Sequence, residues 1–354
     1  MKITIIYNLK KKNFPKGIPP DYYSEFDSYK TVNSITKALE DAGHRVALKE
    51  ANESLFFYLL NNKKNIDFVF NIAEGRNGCV GRESQVPAIL DFLGIPYTGS
   101  NVLTMAIALD KAYTKKLCIL EGIPTPKFQL FSTGKETLDP SLRFPLIVKP
   151  NAEGSAKGIS KDSVVYDKKR LLAQIEKIKS EYKQTVLVEE FIEGKEITVG
   201  IIGNDTPLVL PILEIDFSSC KGSGEFFYSW RMKEFQGDLE KKLTPTFYCP
   251  ARIRREVAER ISCLALRIYR LLGCYDLCRM DFRLDKKENP YFLEVNPLPG
   301  LDPEESNFPL MARAGGLSYN ELINRILESA VRRVNGKLGR KKRKEVGIVE
   351  YAYL

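Results

Sequence analysis

The first hundred residues alternate between two hydrophobic periods, and this limits the fold more than any other feature of the chain. KITIIY, RVALKE and DFVFNI read as strands; TVNSITKALEDAG, SLFFYLLNN and SQVPAILDFLG read as helices, and PYTGS closes the segment. Strands separated by helices pair in parallel through crossover connections. Residues 1–100 are therefore expected to form a small, doubly wound α/β domain, with Gly43 and Gly94 just past helix ends. Ligands usually meet such a sheet at the loops following its strands. Here those loops are NLKKKNFPKGIPP and AEGRNGCVGRE.

The pattern then changes. Residues 101–186 start with one helix, TMAIALDKAYTKKLCILEG, followed by IPTPKFQLF, the strand PLIVKP, the loop NAEGSAKGIS and the helix KRLLAQIEKIKSEY. This reads as a compact α+β module. Residues 187–331 follow the strand TVLVEEFI with EITVGIIG, PLVLPILEI and a polar stretch, CKGSGEFFYSWRMKEFQ. A long helix, ARIRREVAERISCLALRIYRLLG, leads to a hairpin of CRMDFRL and YFLEVNP about the turn DKKENP. A last helix, SYNELINRILESAVRRV, precedes a basic tail over 332–354.

Composition removes several functions. A chain of 354 residues implies two or three domains, and 44% hydrophobic residues are enough to build cores. No run of about 18 apolar residues spans a membrane. MKITIIYN lacks the apolar stretch and cleavage site of a signal peptide, so the expected compartment is the cytoplasm. The seven cysteines are scattered and read as reduced, mostly buried thiols, although Cys274 and Cys278 could share a helix face. A Ser-His-Asp triad would have to use His44, the single histidine, and a histidine-rich zinc site cannot be built. Chemistry is left to carboxylates, Lys, Arg and backbone groups. The net charge of +9 is local: residues 332–344 hold eight basic residues and no acid, and without them the charges nearly balance. This reads as a solvated, partly disordered tail, or as a patch for an anionic partner such as RNA or lipid head groups. It argues against a nucleic-acid-binding face on the body.

The hairpin carries the most chemistry. Arg279, Asp281 and Arg283 alternate with Met280, Phe282 and Leu284; Phe292, Glu294 and Asn296 alternate with Tyr291, Leu293 and Val295. A turn centred between Lys287 and Glu288 sets Asp281 opposite Glu294 and Arg279 opposite Asn296. Carboxylates this close repel unless a cation lies between them. Such oxygen ligands suit Mg²⁺ or Mn²⁺, which commonly bridge nucleotide phosphates. The plain alternative is an exposed hairpin with a solvated face. In PLIVKPNAEGSAKGIS, a buried strand ends at Lys149 and opens a loop with Gly154, Ser155 and Gly158. That loop could turn N–H groups towards a phosphate, or be an ordinary turn. In TVLVEEFIEGKEITVG, the strand could meet an adenine edge, with Glu189 at the amino group and Glu196 at the ribose, or the segment could be an acidic link.

Taken in order, DKAYTK, the Lys149 strand with its Gly-Ser loop, VEEFIEGKE, a loop bearing Lys233, RMDF and EVNPLPG resemble the ATP-grasp ligases. More narrowly, they resemble the D-alanine–D-alanine ligases, over roughly residues 65–320. The resemblance implies a three-domain ATP-grasp fold, with ATP between the sheets of the central and C-terminal domains. It implies Lys111 and Lys149 at the phosphates, and Glu189, Phe191 and Ile192 around the adenine. Glu196 falls at the ribose, and Ile147, Phe227 and Leu293 form apolar walls. Lys233 falls on a loop, 218–240, that closes over the γ-phosphate, and Ser155 in the phosphate-covering loop. Asp281, Glu294 and Asn296 match ligands of Mg²⁺ (or Mn²⁺), two ions in all. Arg279 and the Gly300 N–H match the groups that stabilise the tetrahedral oxyanion. A homodimer through the N-terminal region is also implied.

The substrate side departs from that pattern. The family's Gly-rich loop with its Glu and Ser is replaced by YNLKKKNFPKGIPPDYYSEFDSYKTV, where Glu25 is the stand-in at a different spacing. Its His-Gly segment is replaced by Asn71-Ile72-Ala73-Glu74-Gly75, and the tyrosine after the loop lysine by Glu234. The loop after Gly300 carries one apparent extra residue, with Ser306 nearest the serine that binds substrate carboxylate. The expectation is a ligase for amino acids or peptide-like substrates other than dialanine. The alternatives are a true D-alanine–D-alanine ligase, and a silent nucleotide-binding protein with a recruiting tail.

Overall fold

The structure, a computed structural model, describes residues 1–11, 17–76, 78–235 and 243–350, the side chains of 221 and 337–350 excepted. Parts of the loops expected at 8–20, 73–83 and 218–240 thus lie outside the described residues.

β1 (Lys2–Tyr7), α1 (Tyr29–Asp41), β2 (Arg45–Glu50), α2 (Leu55–Asn62), β3 (Phe68–Asn71) and α3 (Gln85–Leu93) follow the expected order. The sheet is parallel, in the order β2-β1-β3. It is doubly wound because β1 is apolar on both faces. Ile3 and Ile5 pack with Val32, Ile35 and Leu39 of α1, and Ile6 packs with Leu59 and Leu90 of α2 and α3. Ser28 caps α1 by accepting from the Thr31 N–H at 3.1 Å. Gly94 ends α3 in the left-handed conformation, φ 64°. PYTGS contributes a single parallel bridge, Val69 to Tyr97.

The helix expected over TMAIALDKAYTKKLCILEG is two helices, α4 (Val102–Leu109) and α5 (Lys111–Leu120). Asp110 between them is extended (ψ 100°), and its side chain accepts from the Tyr113 N–H. A short acceptor side chain favours a cap over a helix interior, and this one restarts the helix at Lys111.

β4 (Phe128–Phe131), β5 (Leu146–Pro150), β6 (Val164–Val165), α6 (Lys168–Tyr182) and β7 (Val186–Glu190) make an antiparallel sheet, in the order β4-β7-β5-β6, covered by α6. A third sheet holds β8 (Lys195–Ile202), β9 (Leu208–Val209), β10 (Leu213–Asp216) and, after the short α7 (Trp230–Glu234), β11 (Thr246–Tyr248). α8 (Arg255–Leu271) packs against this sheet and leads into the hairpin of β12 (Leu277–Leu284) and β13 (Pro290–Asn296). PLVLPILEI is therefore two strands; Pro211 lies in the gap, where it owes the ladder no donor. Cys278 lies on β12 and Cys274 before it, so the two share no helix.

α9 (Asn307–Ala314) and α10 (Tyr319–Glu350) close the chain and pack with α1 in one core. Here the structure corrects the sequence reading. Arg333 belongs to the body: its guanidinium lies 2.7 Å from fully buried Asp276 and stacks on Tyr275. The helix also continues through the basic run, as strong helix formers such as Lys, Arg and Glu allow.

Candidate active site

The second and third sheets face each other across a cleft. Its walls are Ile147 and Lys149 on β5, Glu189 on β7 with Phe191 and Ile192 after it, and Glu196 and Thr198 on β8. Arg279, Asp281 and Arg283 of β12 and Leu293 and Glu294 of β13 complete it, with Ser155, Phe227 and Lys233 from loops. Asn296, Gly300, Ser306 and Glu25 line a second cavity, which shares Ser155, Lys233 and Arg279 with the cleft. Lys111 reaches the same region by its contact with Glu294. The nucleotide, metal and substrate residues that the resemblance implied thus lie in one region.

The hairpin register places Asp281 opposite Glu294 and Arg279 opposite Asn296. It corrects one detail. The ladder slips between Asp281 and Phe282, so that Phe282 pairs with Phe292 and Leu293 is the extra residue of a bulge. Phe292 therefore faces the core, its ring 5.8 Å from that of Phe282, instead of sharing a face with Glu294. Leu293 turns with Glu294 towards the cleft.

Each carboxylate of the hairpin is held by a cation. Arg279 donates to both oxygens of Asp281, at 3.2 and 2.8 Å, and the Thr198 hydroxyl donates to Oδ1 at 2.9 Å. Glu294 Oε2 lies 3.2 Å from Lys111 Nζ. Burial works against the charge of Glu294, but Lys111, Lys149 and Arg279 outweigh it and hold the carboxyl at about 2. Two carboxylates in register, with the Asn296 amide oxygen next along the strand, form a hard oxygen set that fits Mg²⁺.

Above them sits the Gly-Ser loop. Ser155 and Ala156 both have positive φ, 49° and 55°, a costly backbone that turns successive N–H groups to one side. At Gly154 a Cβ would lie 2.5 Å from Glu25 Oε1, so any side chain there would displace that carboxylate. Lys233, at the end of α7, donates to Ser155 Oγ at 3.1 Å. Burial, with Arg279 nearby, pulls its ammonium down to about 8. Phe191 and Phe227, centroids 5.9 Å apart, pack with Ile147 and Ile159 as an apolar slot.

Several partners of these groups escaped the sequence reading. Glu189 is pinned between Lys149 (2.5 Å) and Lys115 (2.9 Å), and Lys115 is wholly buried. The signal was present in DKAYTK, where Lys111 and Lys115 are four apart on one helix face. Arg283 pairs with Glu196 at 3.0 Å, donates to the carbonyls of Ile192 and Gly194, and stacks on Phe191. Its place in the alternation with Asp281 was visible. Glu25 is held by Arg82 at 2.5 Å, by Lys157 at 3.3 Å and by the Gly154 N–H at 2.7 Å. Ser306 Oγ accepts from the Asp302 N–H at 3.1 Å.

Comparison with known proteins agrees with this geometry. A family model described as D-ala D-ala ligase C-terminus matches residues 117–328. An uncharacterized protein, y4sG, of Sinorhizobium fredii is 35% identical over 316 residues, covering 87% of this chain and 90% of that protein. A D-alanine–D-alanine ligase of Carboxydothermus hydrogenoformans is 36% identical over 310 residues, 85% and 92% of the two chains. A D-alanine–D-alanine ligase of Bacillus anthracis, solved in complex with ATP, superposes with TM-score 0.72 at 28% identity, covering 95% and 99%. Fold and site define an ATP-grasp enzyme, a ligase that forms C–N bonds. The chain belongs to the D-alanine–D-alanine ligase family.

Proposed function

We propose that this protein uses ATP and Mg²⁺ to join a carboxylate to an amine through an acyl-phosphate. The observation that carries the reading is the facing pair Asp281 and Glu294, at the end of a cleft where Lys149, Lys233 and Arg279 meet. A carboxylate is a poor acyl donor because oxide is a poor leaving group. Transfer of the γ-phosphoryl group to a carboxylate oxygen releases ADP and creates phosphate as a good leaving group. The amine then attacks the acyl carbon, the C–O bond to phosphate breaks, and the amine gives up a proton to the departing phosphate.

The residues suit these steps. The adenine occupies the slot of Ile147, Phe191, Phe227 and Leu293 beside Glu189, with the ribose at Glu196. Lys111, Lys149 and Lys233 offset the charge of the phosphates, and Asp281, Glu294 and Asn296 would hold Mg²⁺, which would supply further positive charge there. Arg279 and the Gly300 N–H face the oxyanion. Lys233 resting on Ser155 is the arrangement that would exclude water from the acyl-phosphate. Exposed Phe57 and Phe92, on α2 and α3, supply an apolar face for a homodimer, and light scattering tests that part.

The test is ADP release over a panel of D- and L-amino acids and dipeptides with ATP and Mg²⁺. Stimulation by an amine–carboxylate pair supports a ligase; nucleotide binding without turnover on any member counts against it. The names of the relatives favour a second reading, D-alanine–D-alanine ligase. ADP release with D-alanine alone would establish it.

A further inference from the structure

The cavity beside the nucleotide cleft, about 240 Å³, reaches from Arg279 and Gly300 to a wall built by the N-terminal sheet's loops. That wall is acidic. Carboxylate oxygens of Glu25, Glu74 and Glu83 lie within 4.8 Å of one another. Glu25 is compensated by Arg82 and Lys157, and Arg82 also reaches Glu153. Glu83 feels the charges of Arg82 and Lys111 without touching either: only 6% exposed, it lines the cavity and makes no hydrogen bond or ion pair with any described residue. Glu74 and the Asp27 carboxylate likewise have no such partner among the described residues, and Asp302 stands near Asp27. Of the lysines that line the cavity among the described residues, Lys10 is paired with Glu234 and Lys233 rests on Ser155.

Buried carboxylates without a counter-charge are costly unless they take up protons or meet a cation. Burial, with Asp302 adding to it, pushes Asp27 up to about 8. Burial, against the pull of Arg82, pushes Glu83 up to about 7. A pair of small neutral amino acids leaves one ammonium unreacted, which answers one carboxylate of a wall that holds several. A single metal ion would answer the three glutamates and leave Asp27 unanswered, whereas an extended organic cation reaches both; Asp302 is already held by the Thr31 hydroxyl and the Glu304 and Glu305 N–H groups.

Resting on the ligase reading above, we propose that this wall binds a cationic group of the substrate, an ammonium or guanidinium beyond the groups that react. The substrate class is then a basic amino acid or a peptide with a basic residue. The deciding feature is Glu83, buried, unpartnered and turned into the cavity that adjoins Arg279.

The experiment measures ADP release with D- and L-lysine, ornithine and arginine, each alone and paired with alanine. Norleucine and citrulline serve as neutral counterparts of similar shape. At least a tenfold preference in kcat/KM for the cationic member is expected. The preference should collapse in Glu83→Gln and in Asp27→Asn, while the KM for ATP, which reports a folded cleft, stays within about twofold. Turnover of neutral amino acids with no preference overturns the proposal and leaves the ligase reading intact, as does a preference that both variants retain. Tight Mn²⁺ binding that survives Glu294→Gln and disappears in Glu74→Gln would make the cluster a metal site and also overturn it. No ADP release with any member, while ATP still binds, removes the ligase reading and this inference with it.

Discussion

Leu293 and Glu294, neighbours in the chain, both face the cleft, because the β12–β13 ladder slips by one residue between Asp281 and Phe282. The slip lets one strand supply an apolar wall and a carboxylate side by side while Asp281 stays opposite Glu294. If these carboxylates hold the metal, Asp281→Asn and Glu294→Gln should each lower ADP release about 100-fold or more. Circular dichroism should show both variants folded. Full activity in both would mean that the metal site has been misplaced.

Lys115 and Glu189 form a pair with almost no solvent access, and Lys149 completes it from β5. Replacing Lys115 with Met leaves a buried carboxylate with one cation instead of two. The expected loss is about 1–3 kcal/mol, smaller than for a fully orphaned charge because Lys149 remains. Denaturant unfolding of Lys115→Met should show it. Adding Glu189→Leu should deepen the loss, since it leaves the buried Lys149 ammonium without its 2.5 Å partner. A neutral single variant would mean that the pair contributes little to the fold.

Much of the fold and cleft was legible because it rests on local periodicity. The alternation of Arg279, Asp281 and Arg283 with Met280, Phe282 and Leu284 fixes which side chains reach the cleft. Two-sided burial of β1 likewise follows from its β-branched run, Ile3 to Ile6, in which Thr4 is the one polar residue. What was missed depends on contacts distant in sequence. The break at Asp110 is a capping choice, reinforced when Asn151 accepts the Ala112 N–H from across the fold. The Leu293 bulge exists because Phe292 is drawn into the core. The anchoring of Arg333 needs Asp276, which lies 57 residues away. Composition alone assigned that arginine to the tail.

Acid should weaken the link between the N-terminal sheet's loops and the Gly-Ser loop. Burial opposes the charge of Glu25, but Arg82 and Lys157 outweigh it and lower its carboxyl from 4.5 to about 2. A depressed folded-state value stabilises above the unfolded one, so the contribution is complete above about pH 4.5. It fades as pH falls towards about 2, a loss on the order of 3 kcal/mol. Unfolding free energies of the parent and of Glu25→Gln should therefore converge between pH 5 and pH 2.5. A gap of constant size across that window would rule out this linkage. Asp27 has the opposite sign: its value is raised to about 8, so Asp27→Asn should stabilise the protein most above that pH.

The end of the body is set by Arg333 and not by the start of the basic run. Its guanidinium pairs with Asp276, donates to the Tyr97 carbonyl and stacks on Tyr275. Asp276 is fully buried, and it also accepts from the Gly99 N–H and from Asn204. Removing the cation from such a carboxylate costs about 3–5 kcal/mol when nothing replaces it, and less where other donors remain, as here. A chain ending after Gly336 should keep its melting temperature and its ADP release. A chain ending after Arg332, or the full chain with Arg333→Ala, should melt several degrees lower. Equal melting temperatures for the two truncations would show that Arg333 does not hold α10 to the body.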